Sequence, residues 1–382
     1  MQEIEIMYER LRGGIQQAPV ELKELHEQGK PVVGIYCAYT PVEVIMAAGA
    51  IPVSLCSTSG APIAAAEEFL PRNLCPLIKA SYGFAITDKC PYFHFSDLVV
   101  GETTCDGKKK MYEYLNRIRP THVMQLPQTL DRPDSLPLWE KELRLLGSVL
   151  EERFGTQVTE KRLSEALRIK NREHRALNDI FTLAAQNPPL MTGLETLLVS
   201  DFSRVCFDKE RSVREITAVR DQLVAHATKG WRRMEPGRPR ILVTGCPLGK
   251  ALEKVIVAIE EAGGAVVCYE NCGNFKSTRE LVDETQPPFS ALAAKYLRTP
   301  CSCLSPNDGR MDLLRDLAGE FRVDGVVEVI LQACHTYAVE SLRVRELARQ
   351  ELEMPYIAIE TDYSPSDAEQ IATRIGAFVE ML

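Results

Sequence analysis

Ten of the twelve cysteines in this 382-residue chain fall at matching stations of an internal duplication. In the first copy a short apolar run, Pro31 to Tyr36, leads to Cys37 and a helical stretch, and Gly49 precedes a second run that ends at Cys56. In the second copy Arg240 to Thr244 leads to Cys246, and Gly263 precedes a run that reaches Cys268 and Cys272. Leu70-Pro-Arg-Asn-Leu-Cys75-Pro76 is echoed by Leu297-Arg-Thr-Pro-Cys301-Ser-Cys303. Asp97-Leu-Val-Val before Cys105 is echoed by Asp324-Gly-Val-Val before Cys334. Cys75 and Cys105 are 30 residues apart, Cys303 and Cys334 31. Such a chain is held to two similar sheet-based halves with thiols where parallel strands end. Those ends converge on one crevice, which is what a metal cluster needs.

The segments between the cysteines fill in this frame. Pro31–Tyr36, Ile51–Leu55, Ser96–Val100 and Thr121–Leu126 read as strands of the first half. Arg240–Thr244, Ala265–Val267, Val326–Leu331 and Tyr356–Glu360 read as strands of the second. Helical stretches separate them, such as Pro41–Ala48 with proline in its first turn and the amphipathic Lys250–Glu261. Near-continuous apolar strands alternating with helices indicate parallel sheets covered on both faces. Residues 141–235 lack strand signals, are charged and helix-periodic, and offer Thr159 as an N-cap. Glu235-Pro-Gly-Arg-Pro239 has linker composition. The expected fold is α/β: two Rossmann-like doubly wound parallel-sheet domains, 1–140 and 236–382, joined by a helical connector, 141–235.

The composition narrows the function. A net charge of −8 implies no large basic face for nucleic acid. Lys108-Lys109-Lys110 is the one basic cluster of note and reads as a solvated helix start. No run of 18 apolar residues predicts a membrane span. The acidic opening Met-Gln-Glu-Ile-Glu-Ile lacks a signal-peptide pattern. A cytoplasmic location is expected, and there twelve cysteines point to metal or redox chemistry rather than disulfides.

An iron–sulfur cluster asks only for thiolates, which the fold can gather from distant positions. A lone buried cysteine behaves as a small hydrophobe, and Cys90 and Cys206, outside the repeat, are read that way. Zinc would want close pairs of ligands, which only Cys268/Cys272 and Cys301/Cys303 offer. Thr244-Gly-Cys-Pro-Leu-Gly-Lys250 superficially resembles a phosphate loop. It is one residue short between its glycines, and Ala251 stands where Ser or Thr would hold magnesium. Nucleotide hydrolysis is therefore assigned to a partner. His335, beside Cys334, is the candidate proton donor; its bland alternative is a structural hydrogen bond. Glu43, opening a helix near the crevice, is the second candidate catalytic group, set against a simple interaction with the helix N-terminus. Glu360-Thr-Asp362-Tyr363 either lines the crevice or forms a polar turn.

These residues carry a resemblance. Gly34-Ile-Tyr-Cys-Ala-Tyr-Thr-Pro-Val-Glu43, Ala47-Ala-Gly-Ala50, Arg72-Asn-Leu-Cys-Pro76, Cys105-Asp106 and Gln332-Ala-Cys334 make the chain resemble, over essentially its whole length, the 2-hydroxyacyl-CoA dehydratase / benzoyl-CoA reductase subunit superfamily. The resemblance implies a 4Fe–4S cluster between Rossmann-like domains, held by Cys75, Cys105 and Cys334. The extra cysteines of the second half make the chain most similar to the double-cubane cluster protein branch, in which two cubanes share a sulfide. A second triad would be Cys246, Cys272 and Cys303, with Cys37 as the substitute. The choice within Cys268/Cys272 and Cys301/Cys303 rests on the repeat intervals.

Three functions follow as expectations. The first is an iron–sulfur reductase with an 8Fe–9S double cubane, acting as a homodimer that takes low-potential electrons from an ATP-hydrolysing iron–sulfur activator and reduces a small molecule. The second is a 2-hydroxyacyl-CoA dehydratase subunit with a single 4Fe–4S cluster. The third is a cluster carrier without catalysis of its own.

Overall fold

The computed structural model describes residues 2–246 and 249–382; Pro247 and Leu248, inside the loop compared with a phosphate loop, lie outside the described residues. The strands are β1 (Val32–Ile35), β2 (Ile51–Ser54), β3 (Leu98–Glu102), β4 (Thr121–Met124), β5 (Arg240–Gly245), β6 (Ala265–Glu270), β7 (Gly325–Leu331) and β8 (Tyr356–Thr361). They form two parallel sheets with the same order, β2-β1-β3-β4 and β6-β5-β7-β8. The duplication of the sequence is thus a duplication of topology. Strands β3, β5, β6 and β7 are buried along their whole length, as continuous apolar runs require when helices cover both faces.

Between the sheets run the helices Ser135–Phe154, Glu160–Phe181, Gly193–Val205 and Lys209–Thr228. Thr159 caps the second of these by accepting from the Arg162 amide at 3.3 Å. Thr192 and Glu195 close a capping box on the third.

The first helix, Gln2–Glu27, packs against the helical segment. Ile4, Tyr8 and Leu11 form one helical stripe and are buried with Leu177, Ile180, Phe202, Ile216 and Leu223 of the helical segment. Arg211 adds an ion pair to Glu21 at 2.8 Å. The helix opens the first half in sequence but packs with the middle of the chain, because that is where its apolar stripe finds a surface to bury against.

The carboxyl ends of the two sheets meet. Tyr39 donates to the Thr299 carbonyl at 2.9 Å, Tyr363 to that of Ser57 at 2.9 Å, and Tyr296 to the Glu43 carboxylate at 2.7 Å. Each of these bonds joins one half to the other. One continuous core holds residues of both sheets, including Val33, Val99, Val243 and Val329.

Candidate metal centre

Each cysteine of interest follows a strand or opens a helix. Cys75, Cys105 and Cys334 are the N-cap residues of Pro76–Thr87, Asp106–Leu115 and His335–Glu346. A thiolate there faces unpaired amide groups and the positive end of the helix dipole. Two backbone strains aim the thiols. Ala333, before Cys334, is left-handed with φ 56°. Gly245, before Cys246, has φ 128°, and a Cβ there would stand 1.9 Å from the Val329 carbonyl oxygen, so only glycine fits.

The thiols fall into two groups of neighbours. In one, Cys246 and then Cys75 beside it hold Cys334 well below the ordinary thiol range. Cys75 is pushed up, first by its neighbour Cys334 and then by burial. Burial, then the neighbouring Cys334, pushes Cys246 up. In the other group Cys301 is lowered by its neighbour Cys303 and, against burial, by Lys276. Cys37 and Cys272 feel the charge of Cys301, and Cys303 feels those of Cys37 and Cys105.

Of the residues named from sequence, Cys75, Cys246 and Cys334 are therefore brought together. Cys105, Cys272 and Cys303 lie with Cys37 and Cys301 in the second group. Cys268 is elsewhere. It is buried in the other core among Arg240, Arg279 and Glu320, so Cys268 and Cys272 do not form a ligand pair. Cys206 takes a hydrogen bond from Arg211 Nε at 3.2 Å and is buried in that other core as well.

His335 is exposed at the first turn after Cys334. Glu43 is fully buried, with Tyr296 on Oε2 and no partner on Oε1. Tyr363 lines the crevice and feels Cys75, Cys56 and Cys246, while Thr361 and Asp362 make the polar turn.

The reading of Lys108-Lys109-Lys110 as solvated is corrected for its first member. Lys109 and Lys110 pair with Asp106 and Glu113, each at 2.7 Å. Lys108 is buried and donates to the Tyr36 carbonyl at 2.6 Å. It points inward because it follows Cys105 by one helical turn, on the side facing the core.

Sequence reasoning also missed a charged network under the second sheet. Lys276 meets Glu270 at 2.8 Å and donates to Tyr337 Oη at 2.6 Å. Arg310 contacts Glu270 at 3.1 Å, Glu328 at 3.2 Å, Glu340 at 2.7 Å and Thr244 at 2.9 Å. Tyr356 donates to Glu328 at 2.7 Å. Lys276, Glu270, Arg310 and Glu328 have no exposed side-chain surface. In the first half, burial lifts Glu102 to about 7 despite its hydrogen bond from Thr40. The spacings Cys105 to Lys108 and Cys272 to Lys276, three and four residues, were the available signal for the lysines.

Comparison with known proteins fits this geometry. Residues 37–382 match the family model described as 2-hydroxyglutaryl-CoA dehydratase, D-component. The chain is 55% identical over 362 residues to Escherichia coli K12 YjiM, named provisionally as a dehydratase subunit; the match spans 94% of this chain and 93% of that one. It is 23% identical over 366 residues to the (R)-phenyllactyl-CoA dehydratase beta subunit of Clostridium sporogenes, covering 94% of each. It is 18% identical over 364 residues to a benzoyl-CoA reductase subunit of Thauera aromatica, covering 93% of this chain and 92% of that one.

Proposed function

The chain belongs to the 2-hydroxyglutaryl-CoA dehydratase D-component family, and from that premise we propose that it is the cluster-bearing reductase component of a multi-component enzyme. The observation that carries this reading is the donor set. Thiols from both halves gather in one crevice, with lysines against them. An all-thiol set suits iron–sulfur chemistry and ill suits hard, oxygen-seeking cations. Cys75, Cys105, Cys334, Cys246, Cys272 and Cys303 would hold a double cubane, with Cys37 as the substitute. When bound, such a cluster supplies single electrons at low potential.

The chain's own residues prepare the place. The helix N-termini at Cys75, Cys105 and Cys334 stabilise thiolates. Tyr39, Tyr296 and Tyr363 tie the halves together and keep bulk water out. His335, exposed beside Cys334, carries a proton from solvent to the mouth of the crevice. Glu43, fixed through Oε2 by Tyr296, keeps Oε1 free to orient a bound group. Electrons come from an ATP-hydrolysing iron–sulfur activator, the substrate is a small molecule, and the chain works as a homodimer in the cytoplasm. No helix among the described residues is long and apolar enough to cross a membrane.

The relatives named as acyl-CoA dehydratase subunits favour a second reading, a 2-hydroxyacyl-CoA dehydratase subunit with one 4Fe–4S cluster. Iron and acid-labile sulfide per chain on anaerobically purified protein separate the two. About eight irons and nine sulfides support the double cubane, and about four of each support the single cluster. Protein that holds no iron overturns both. Cys75→Ala is expected to lose the iron, and full iron content in that variant removes Cys75 from the ligand set.

A further inference from the structure

The two thiol groups differ in the residues that flank them. In the first, Leu74 and Pro76 flank Cys75, Gly245 precedes Cys246 and Ala333 precedes Cys334. None of these offers a side-chain hydrogen bond. In the second, Thr104 precedes Cys105, Ser302 separates Cys301 from Cys303, and Asn274 follows Cys272 by two residues. Thr104 Oγ1, Ser302 Oγ and both amide atoms of Asn274 are buried and have no hydrogen-bond partner among the described residues.

Asn274 is the clearest case. It is 1% exposed and stands at the N-cap of the helical turn Phe275–Thr278. An asparagine there ordinarily accepts from an amide of the first turn, and this one makes no such bond. Among the described residues, no other buried side chain leaves both a donor and an acceptor atom unpartnered. The residues on either side of it belong to the second group's surroundings: Cys272 feels Cys301 and Cys56, and Lys276 feels Cys272 and Cys301. An unmet buried amide or hydroxyl is costly unless something the protein binds completes it. Three such side chains, each within two residues of a crevice cysteine, form a set of donors that lacks an acceptor. The sulfurs of an iron–sulfur cluster are acceptors of that kind, and hydrogen bonds to them help to set its potential.

We propose that Asn274, Ser302 and Thr104 donate hydrogen bonds to the group held at Cys105, Cys272 and Cys303, and so make that side of the crevice the one that takes up an electron first. This rests on the iron–sulfur reading above. Adding one electron makes and breaks no bond and leaves the held group more negative. Hydrogen-bond donors favour the more negative form, so these three raise the midpoint on their side. The side of Cys75, Cys246 and Cys334, whose flanking residues supply no such donors, keeps the lower one.

The test uses full-length Asn274→Leu, Ser302→Ala and Thr104→Val, each of which removes the donor. Ser302→Thr and Thr104→Ser keep the hydroxyl, and Tyr8→Phe removes an unpartnered buried hydroxyl in the core of the helical segment. In anaerobically purified, iron-containing protein, a redox titration followed by visible absorption and electron paramagnetic resonance is expected to give a more negative first midpoint in the three donor-less variants. Asn274→Leu shifts furthest of the single variants, and the Ser302→Ala/Thr104→Val double variant shifts further than either of its parents. The hydroxyl-keeping variants and Tyr8→Phe stay near the wild type. Iron-loaded donor-less variants with the wild-type midpoint overturn the proposal and leave the iron–sulfur reading standing. The same shift in Tyr8→Phe would mean a general loosening of the fold and overturns it as well. Wild-type protein that holds no iron overturns both the proposal and the reading it rests on. Should Asn274→Leu fail to fold, the Ser302→Ala/Thr104→Val double variant carries the titration, with the same outcomes.

Discussion

The two halves have one strand order and two different kinds of floor beneath their thiols. Under the second sheet, Lys276, Glu270, Arg310, Glu328 and Glu340 form a closed ionic network in which every charge touches an opposite one. Under the first, Lys108 faces thiols and a carbonyl, and Glu102 keeps an unpartnered oxygen. The difference teaches that topology fixes where strand ends point but not which charges lie behind them. The second half is rigidly compensated on its own. The first sets a buried cation on a carbonyl and leaves a buried carboxyl oxygen without a hydrogen-bond partner.

Three changes would break or sharpen that contrast. The largest effect is expected from Arg310→Met, which strips the common cation from Glu270, Glu328 and Glu340. Leaving buried charge uncompensated costs about 3–5 kcal/mol, whereas Lys108→Met should cost about 1–3 kcal/mol for the unpaired carbonyl it leaves. Urea denaturation of both variants measures this, and equal losses would erase the distinction between the floors.

A pH series comes next. Burial lifts Glu102 from 4.5 to about 7. Over that interval the unfolded chain binds fewer protons than the folded one, so stability falls as pH rises, by on the order of 3 kcal/mol. Glu270 works in the opposite sense. Burial opposes its charge, but Lys276 and then Arg310 hold it below its ordinary value. Its contribution is present above the usual carboxylate range and is lost as pH falls. Glu102→Gln should therefore flatten the decline towards neutral pH, and Glu270→Gln should blunt the loss in acid. A Glu102→Gln profile parallel to the wild type would mean that Glu102 is already ionised in the folded protein.

The smallest effect concerns a thiol on the wrong face. Cys268→Ala should cost about 1 kcal/mol and leave iron content unchanged, in contrast with Cys75→Ala. Loss of iron from the Cys268 variant would place that thiol in the crevice after all.

Much of the scaffold was legible from particular residues. All eight strands were found within a few residues of their true bounds, because buried parallel strands are unbroken apolar runs flanked by Gly and Pro. Thr159 was recognisable as a cap because it precedes a periodic stretch. The surface that covers the first helix was not legible, because an apolar stripe such as Ile4, Tyr8 and Leu11 declares that it will be buried, not by what. Lys108 was misread because three consecutive lysines look uniformly solvated, although consecutive helical positions point about 100° apart. The ionic network was invisible, since Glu270, Arg310 and Glu328 are far apart in sequence and each alone looks like a surface residue.

Cys268 and Cys272 show the boundary between the two kinds of information. The repeat places both near the end of β6. A register shift where β6 pairs with β5, between Ile241 and Leu242, leaves Val267 as an extra residue. Val267 and Cys268 therefore lie in the same core, while Val266 and Tyr269 lie in the other. By itself the sequence determined two copies of a parallel sheet with thiols at the strand ends, because hydrophobic period and residue spacing are local properties of the chain. Only the tertiary structure decided which thiols lie together and which lysines face inward. A one-residue bulge and the packing of distant helices set those directions, and neither leaves a mark on a single segment.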